Sequence, residues 1–193
     1  MKRLSCKAFL AASIRAKTQT ETRLLIAIPE WFEGHLLHAK NCDSLASRDG
    51  SKQLSPRYLP GEIIGIAEPW CVADCFDNLS GDEINAVHPD FCRDEVWMMA
   101  DGEKPPNYGR QRLARFLPDA FVRTRVRILS VGAERLQDID AEAVDREGLP
   151  EGKWSHVDSE RVGEFRDLWD SIHPEAPFAS SPWVWVYRFE LAP

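Results

Sequence analysis

The stretch Lys17-Thr18-Gln19-Thr20 stands where a short helix gives way to an apolar strand, and the fold is read outward from this corner. Upstream, residues 7–16 (KAFLAASIRA) place Ala8, Phe9, Ala12 and Ile14 at helical spacing, with no Gly or Pro to interrupt them. Downstream, Thr22 to Ile28 reads as a strand ended by Pro29. The corner also carries chemistry. Burial lowers the pKa of an amine, and a neutral lysine can activate a neighbouring hydroxyl. The plainer reading of four polar residues after a helix is a loop.

Beyond the corner, residues 30–57 mix Trp31, Phe32 and two histidines with a polar run from Asn41 to Gln53, which predicts an irregular insertion. Tyr58-Leu59-Pro60-Gly61 has Pro and Gly at the central positions of a turn, and it feeds a strand from Glu62 to Ala67. A second insertion is expected at about 71–110, with a short strand from Val96 to Ala100. From Phe121 to Leu129 the pattern alternates, with Val122, Thr124, Val126 and Ile128 on one side and Arg123, Arg125 and Arg127 on the other. Asp140 is placed to cap a short helix running through Glu147 to Gly148. A longer helix spans Ser159 to Ile172, burying Val162, Phe165, Leu168, Trp169 and Ile172. The last strand, Trp183 to Leu191, sets Trp183, Trp185, Tyr187 and Phe189 on one face, a core pattern rather than a ligand box. Strands with helices near both ends predict an α+β fold built on a small, curved or closed antiparallel barrel, as a single domain over 1–193.

Composition narrows the function classes. The chain has 193 residues, 44% of them hydrophobic and 28% charged, with a net charge of −7; its mean hydropathy is −0.37. No apolar run is long enough to span a bilayer, so a cytoplasmic protein without membrane partners is expected. Five cysteines are an odd number for a disulfide framework. The charge is unevenly spread: six arginines and one acid lie between Arg110 and Arg127, and twelve acids and five bases between Glu134 and Asp170. A basic stripe beside an acidic lobe can orient a polyanion despite the overall sign.

Five segments in this order resemble the ASCH-domain proteins of the PUA-like superfamily, in particular the larger phage and prophage versions. They are Lys17-Thr18-Gln19-Thr20 with Arg23; Tyr58-Leu59-Pro60-Gly61-Glu62 leading to Glu68-Pro69-Trp70; Glu134 to Ile139 leading to Arg146-Glu147-Gly148; Leu168 to Ile172; and Pro182 to Val186. The resemblance implies a barrel-like core with a cleft that binds RNA or a modified nucleoside. One branch of that family hydrolyses the acetyl amide of N4-acetylcytidine, and its motif falls here on Lys17, Thr20 and Glu147. The chain departs from the family pattern in having Arg15-Ala16 before the lysine and in displacing the following arginine to Arg23.

The implied mechanism has neutral Lys17 take the Thr20 proton, Thr20 attack the acyl carbon, and Glu147 pass a proton to the leaving amine. Holding a lysine neutral near pH 7 costs about 4 kcal/mol, so that role requires a dry pocket. The alternative has Lys17 on a phosphate and Glu147 in solvent. For RNA or nucleoside binding, the candidate set is Arg23, Glu68, Trp70, Arg112, Arg115, Arg123 and Arg125, with arginines on phosphates and Trp70 on a base. The bland alternative pairs those arginines with the acidic helix 138–147. Cys71, Cys75, His88 and Cys92 have spacing close to a zinc finger. Free cysteines buried as small hydrophobes explain the same residues, so neither a metal nor another cofactor is expected. A third function reading is a non-catalytic phage accessory protein that binds another protein through Trp31-Phe32.

Overall fold

In a computed structural model, described over residues 1–87, 96–149 and 158–193, the chain is α+β, mostly sheet with few helices. In chain order the elements are β1 (Arg3–Ser5), α1 (Ala8–Arg15), β2 (Glu21–Leu25), β3 (His35–Ala39), β4 (Cys42–Ala46), β5 (Gln53–Leu54), β6 (Ile63–Ala67), β7 (Trp70–Val72), α2 (Gly81–Val87), β8 (Val96–Met98), β9 (Thr124–Arg135), α3 (Ala141–Arg146), α4 (Asp158–Ile172) and β10 (Trp183–Leu191). The chain divides into two compact units. The first holds Met1–Ala16, Ile63–Val126 and Leu191–Pro193; the second holds Lys17–Glu62 and Arg127–Glu190.

In the first unit β1 lies parallel to β6, with Arg3 opposite Gly65. A Cβ at Gly65 would stand 2.7 Å from Met1 Cε and 2.8 Å from Val122 Cγ1, so only glycine allows this packing. β7 and β8 form an antiparallel pair. The core gathers Trp70, Val72, Ile84, Met98, Leu117, Phe121 and Val122. Burial of their apolar surface, at about 25 cal/mol per Å², is the main force holding the unit.

In the second unit β10 pairs antiparallel with β2, setting Arg188 opposite Glu21 and Val186 opposite Arg23. β3, β4 and β5 form a meander, and β4 makes a parallel bridge to β9 at Cys42 and Val131. Helices α3 and α4 cover the sheet through Ala143, Val144, Phe165 and Trp169, packed on Val184 and Val186.

Several expectations change. Residues 30–57 are not irregular: Asn41, at φ 65°, closes a two-residue turn between Ala39 and Cys42 that fixes the β3–β4 register. The second insertion contains α2 as well as β7 and β8. The strands are not purely antiparallel, since β1–β6 and β4–β9 run parallel. Among the described residues the pairings of neither unit close into a barrel. Ile172 is exposed rather than buried, and Val184 and Val186 are buried as well as Trp185 and Tyr187, because α3 and α4 cover the second face of β10. No helix among the described residues is long and apolar enough to cross a membrane.

Candidate functional site

Strand alternation puts Glu21 and Arg23 on the buried face of β2, and the β10 register brings Arg188 to the same place. Helix α3 supplies the rest. Asp140 caps it, its Oδ1 accepting from Ala143 N at 2.7 Å, and Gly148, at φ 72°, ends it just past Glu147. The Thr20 amide donates to the Arg146 carbonyl at 2.9 Å, which seats the start of β2 against the end of α3.

These elements converge on Arg23, whose side chain is almost wholly enclosed. Its Nη1 lies 2.8 Å from Glu21 Oε1 and donates to Glu147 Oε1 at 2.9 Å. Its Nε and Nη2 reach Glu134 Oε1 at 3.0 and 2.8 Å. Glu21, 0% exposed, accepts at Oε2 from Arg146 Nε at 3.0 Å and Arg188 Nε at 2.9 Å. Three carboxylates and three guanidiniums therefore share one interior network.

The two carboxylates that share Arg23 Nη1 titrate in opposite directions. Burial alone would raise Glu21, but Arg23 and the N–H donors of Arg188 and Arg146 outweigh it and hold Glu21 below its ordinary range. Burial dominates at Glu147. It exceeds the pull of Arg23 and pushes the carboxyl up to about 7. A buried carboxyl poised there can give or take a proton near neutral pH.

The network opens on a cleft of about 270 Å³ lined by Asn41, Cys42, Asp43, Ser130, Gly132, Glu134 and Arg188, with Ala39, Val131 and Val186. Glu134 uses Oε1 for Arg23, so Oε2 is left for a ligand. Arg188 uses Nε for Glu21, and its side chain is 58% exposed. An acceptor and a fork of donors thus face the same small space.

The sequence candidates fall in different places. Thr20 and Glu147 are brought to the same end of α3. Lys17 is exposed just past α1, at φ 62°, and so lacks the dry surroundings its role as a base requires. Arg23 stands behind the cleft, saturated by carboxylates. Glu68, 0% exposed, is fully paired in the first unit, accepting from Arg15 Nη1 at 3.0 Å and from Arg123 at 2.9 and 3.1 Å. Arg123 also donates to both oxygens of Asp101 at 2.7 Å. Trp70 is a core residue with no face open to a base. Arg112 sits 5.0 Å from its ring and donates to the carbonyls of Leu79, Phe76 and Asp77. Arg115 and Arg125 are exposed.

The bland reading of the arginines also changes partners. Arg123 pairs with Glu68 and Asp101, Arg127 with Glu190, and Arg110 with Asp77, rather than with helix 138–147. Of the cysteine set, Cys71 is buried in β7, with its thiol on the Trp97 carbonyl, and Cys75 is exposed. His88 and Cys92 lie outside the described residues. No group of three metal-ligating side chains occurs among the described residues. Phe32 packs edge-to-face on Trp183 at 5.5 Å, so Trp31-Phe32 is a half-buried lip rather than an open patch.

Sequence reasoning passed over Glu21, Glu134, Arg146 and Arg188 as site residues. One signal was available: pairing the ends of β2 and β10 sets Glu21 opposite Arg188. No family model, curated protein or solved structure matches the chain.

Proposed function

We propose that the second unit binds RNA or a modified nucleoside in the cleft beside Glu134 and Arg188, in the manner of the PUA-like ASCH domains of phages, within the cytoplasm. The supporting observation is the pairing of an open carboxylate oxygen with an exposed guanidinium at one small cleft. A nucleobase edge carries a hydrogen-bond donor next to an acceptor, and such an edge complements this pair. A cleft of about 270 Å³ lies at the small end of ligand pockets, which run from roughly 300 to 1,000 Å³, and suits one base or nucleoside. The test is calorimetric titration with cytidine, N4-acetylcytidine and a uridine hexanucleotide. Saturable binding is expected, weakened about tenfold by Arg188→Ala or Glu134→Gln, which corresponds to about 1.4 kcal/mol. Lack of binding by all three probes at millimolar concentration overturns the reading.

A second reading, amide hydrolysis, draws support from Glu147. Its carboxyl is pushed up to about 7 by burial, and the backbone bond from Thr20 N to the Arg146 carbonyl joins the start of β2 to the helix end that carries Glu147. In this reading Thr20, its hydroxyl proton passing to solvent, attacks the acyl carbon and protonated Glu147 delivers its proton to the departing amine. Water then cleaves the threonine ester, releasing acetate, returning the hydroxyl and reprotonating Glu147. Conversion of N4-acetylcytidine to cytidine and acetate is expected to fall as pH rises past 7 and to vanish in Glu147→Gln. No turnover at high enzyme concentration ends this reading without touching the binding one.

A further inference from the structure

The first unit carries a groove of about 820 Å³ that nothing in the nucleoside reading uses. Its wall is the segment Arg110-Gln111-Arg112-Leu113-Ala114-Arg115-Phe116-Leu117. A 3₁₀ turn over Ala114–Phe116 sorts the side chains. Ala114 and Leu117 go into the core, while Leu113 and Phe116 are held outward at 52% and 59% exposure. Two large apolar side chains three residues apart, fixed by buried neighbours and facing water, are costly unless something covers them.

The charges at the groove show what that covering has to be. Arg112 is committed to backbone carbonyls, and Arg3 to Asp119 and the Leu117 carbonyl. The cations at the rim are Arg110, whose side chain is 68% exposed and touches Asp77 only through Nε at 4.0 Å, and Arg115, whose guanidinium lies 4.9 Å from the Phe116 ring. They stand against one further exposed acid of the lining, Asp82. Aromatic and arginine side chains together make the commonest anchors of protein interfaces. A single-stranded nucleic acid would instead need successive aromatic faces. Here Leu113 has none, and Arg115 sits against the ring of Phe116.

We infer that this groove docks an acidic peptide segment of a partner protein, one that places two bulky apolar side chains against Leu113 and Phe116 and carboxylates against Arg110 and Arg115. The groove lies wholly within the first unit.

The test is selection of a random dodecapeptide display library on the immobilised full chain. The enriched peptides are then resynthesised with a fluorescent label and titrated by polarisation. Enriched sequences are expected to carry a pair of large apolar residues flanked by two or more Asp or Glu. Phe116→Asp or Leu113→Asp is expected to weaken binding at least tenfold, and Arg115→Ala about threefold with a shallower salt dependence. Arg166→Ala, on the exposed face of α4, leaves binding unchanged. Both apolar positions are exposed, so the variants keep the wild-type circular dichroism and melting temperature. No enrichment over bare support, enrichment of basic sequences, or equal binding to Phe116→Asp overturns the inference. So does binding of a uridine dodecanucleotide that Phe116→Asp abolishes, which makes RNA the occupant. A dimer in sedimentation that the same substitution dissociates makes a second copy the occupant, and the inference fails in that case too.

Discussion

Among the described residues each unit buries one carboxylate completely, and the two are satisfied in different ways. In the first, Glu68 is gripped by Arg15 and Arg123, and Asp101 closes the set from the other side. Two acids and two arginines balance, and each oxygen of Glu68 faces a guanidinium. In the second, Glu21 is gripped as firmly by Arg23, Arg146 and Arg188. That network, however, carries further acids: Glu147, pushed toward neutrality, and Glu134, with one oxygen at a cleft. A closed ion-pair set leaves nothing for a ligand to replace. An open one holds bonding capacity in place before a ligand arrives, which is the physical content of preorganisation. Composition could not separate them, because both read as arginines near acids.

The largest effect expected from this contrast is on stability. Glu68→Ala leaves Arg15 and Arg123 facing each other across a buried gap. Breaking a buried pair costs about 3–5 kcal/mol, and the lower end applies here because both arginines reach solvent and Asp101. Glu134→Gln, at the edge of the open network, is expected to cost about 1 kcal/mol or less. Urea denaturation of the two variants measures the difference. Equal losses would erase the distinction between closed and open networks.

A smaller effect distinguishes the two networks through pH. Glu147 titrates at about 7 in the folded chain against 4.5 ordinarily, so between those values the folded chain holds a proton that the unfolded chain releases. Its contribution is therefore full below about pH 4.5 and is lost as pH rises through 7. The full swing is about 3 kcal/mol. Glu21, held low, acts in the opposite sense: its contribution is present above pH 4.5 and is lost as pH falls through its lowered value. Glu147→Gln should flatten the decline between pH 5 and pH 8 while keeping the acid limb. Identical slopes in variant and wild type would mean that burial does not dominate at Glu147.

How much of this could be read from the chain depends on range along the sequence. Local signals held: Asp140 and Gly148 bound α3, Pro60-Gly61 forms its turn with Gly61 at φ 87°, and the alternation from Thr124 to Ile128 is seen in burial. Residues 30–57 failed because their turn rests on Asn41 at positive φ, a weak signal inside a polar run. The site was legible only in part. Glu147 and Arg23 were named as candidates, in roles other than the pairing seen here, and the network's members lie far apart in sequence: Arg23 and Glu134 are separated by 111 positions and Glu21 and Arg188 by 167. No spacing rule links such residues; only strand register does. Trp70 and Arg123 misled for a related reason, since an aromatic and a basic residue look the same whether they meet a ligand or each other.

The finest test of the contrast lies in α3, the short helix that carries Glu147 into the open network. At six residues it cannot hold itself together by backbone hydrogen bonds alone, since isolated helices shorter than about 12–15 residues are marginal in water. The Asp140 carboxylate, accepting from Ala143 N, satisfies one orphan donor and sets the start of the helix. Asp140→Ala should cost about 1 kcal/mol, a modest loss beside that of Glu68→Ala. Its second consequence matters more. A frayed α3 loosens Glu147 from Arg23 and lets water in, so the carboxyl should titrate closer to its ordinary value. Carbon-13 chemical shifts of the glutamate carboxyls, followed across pH, would report this directly. If the Glu147 titration stays near 7 while stability drops by the expected amount, the helix end is held by packing on Phe165 and Trp169, and the cap contributes nothing to the site.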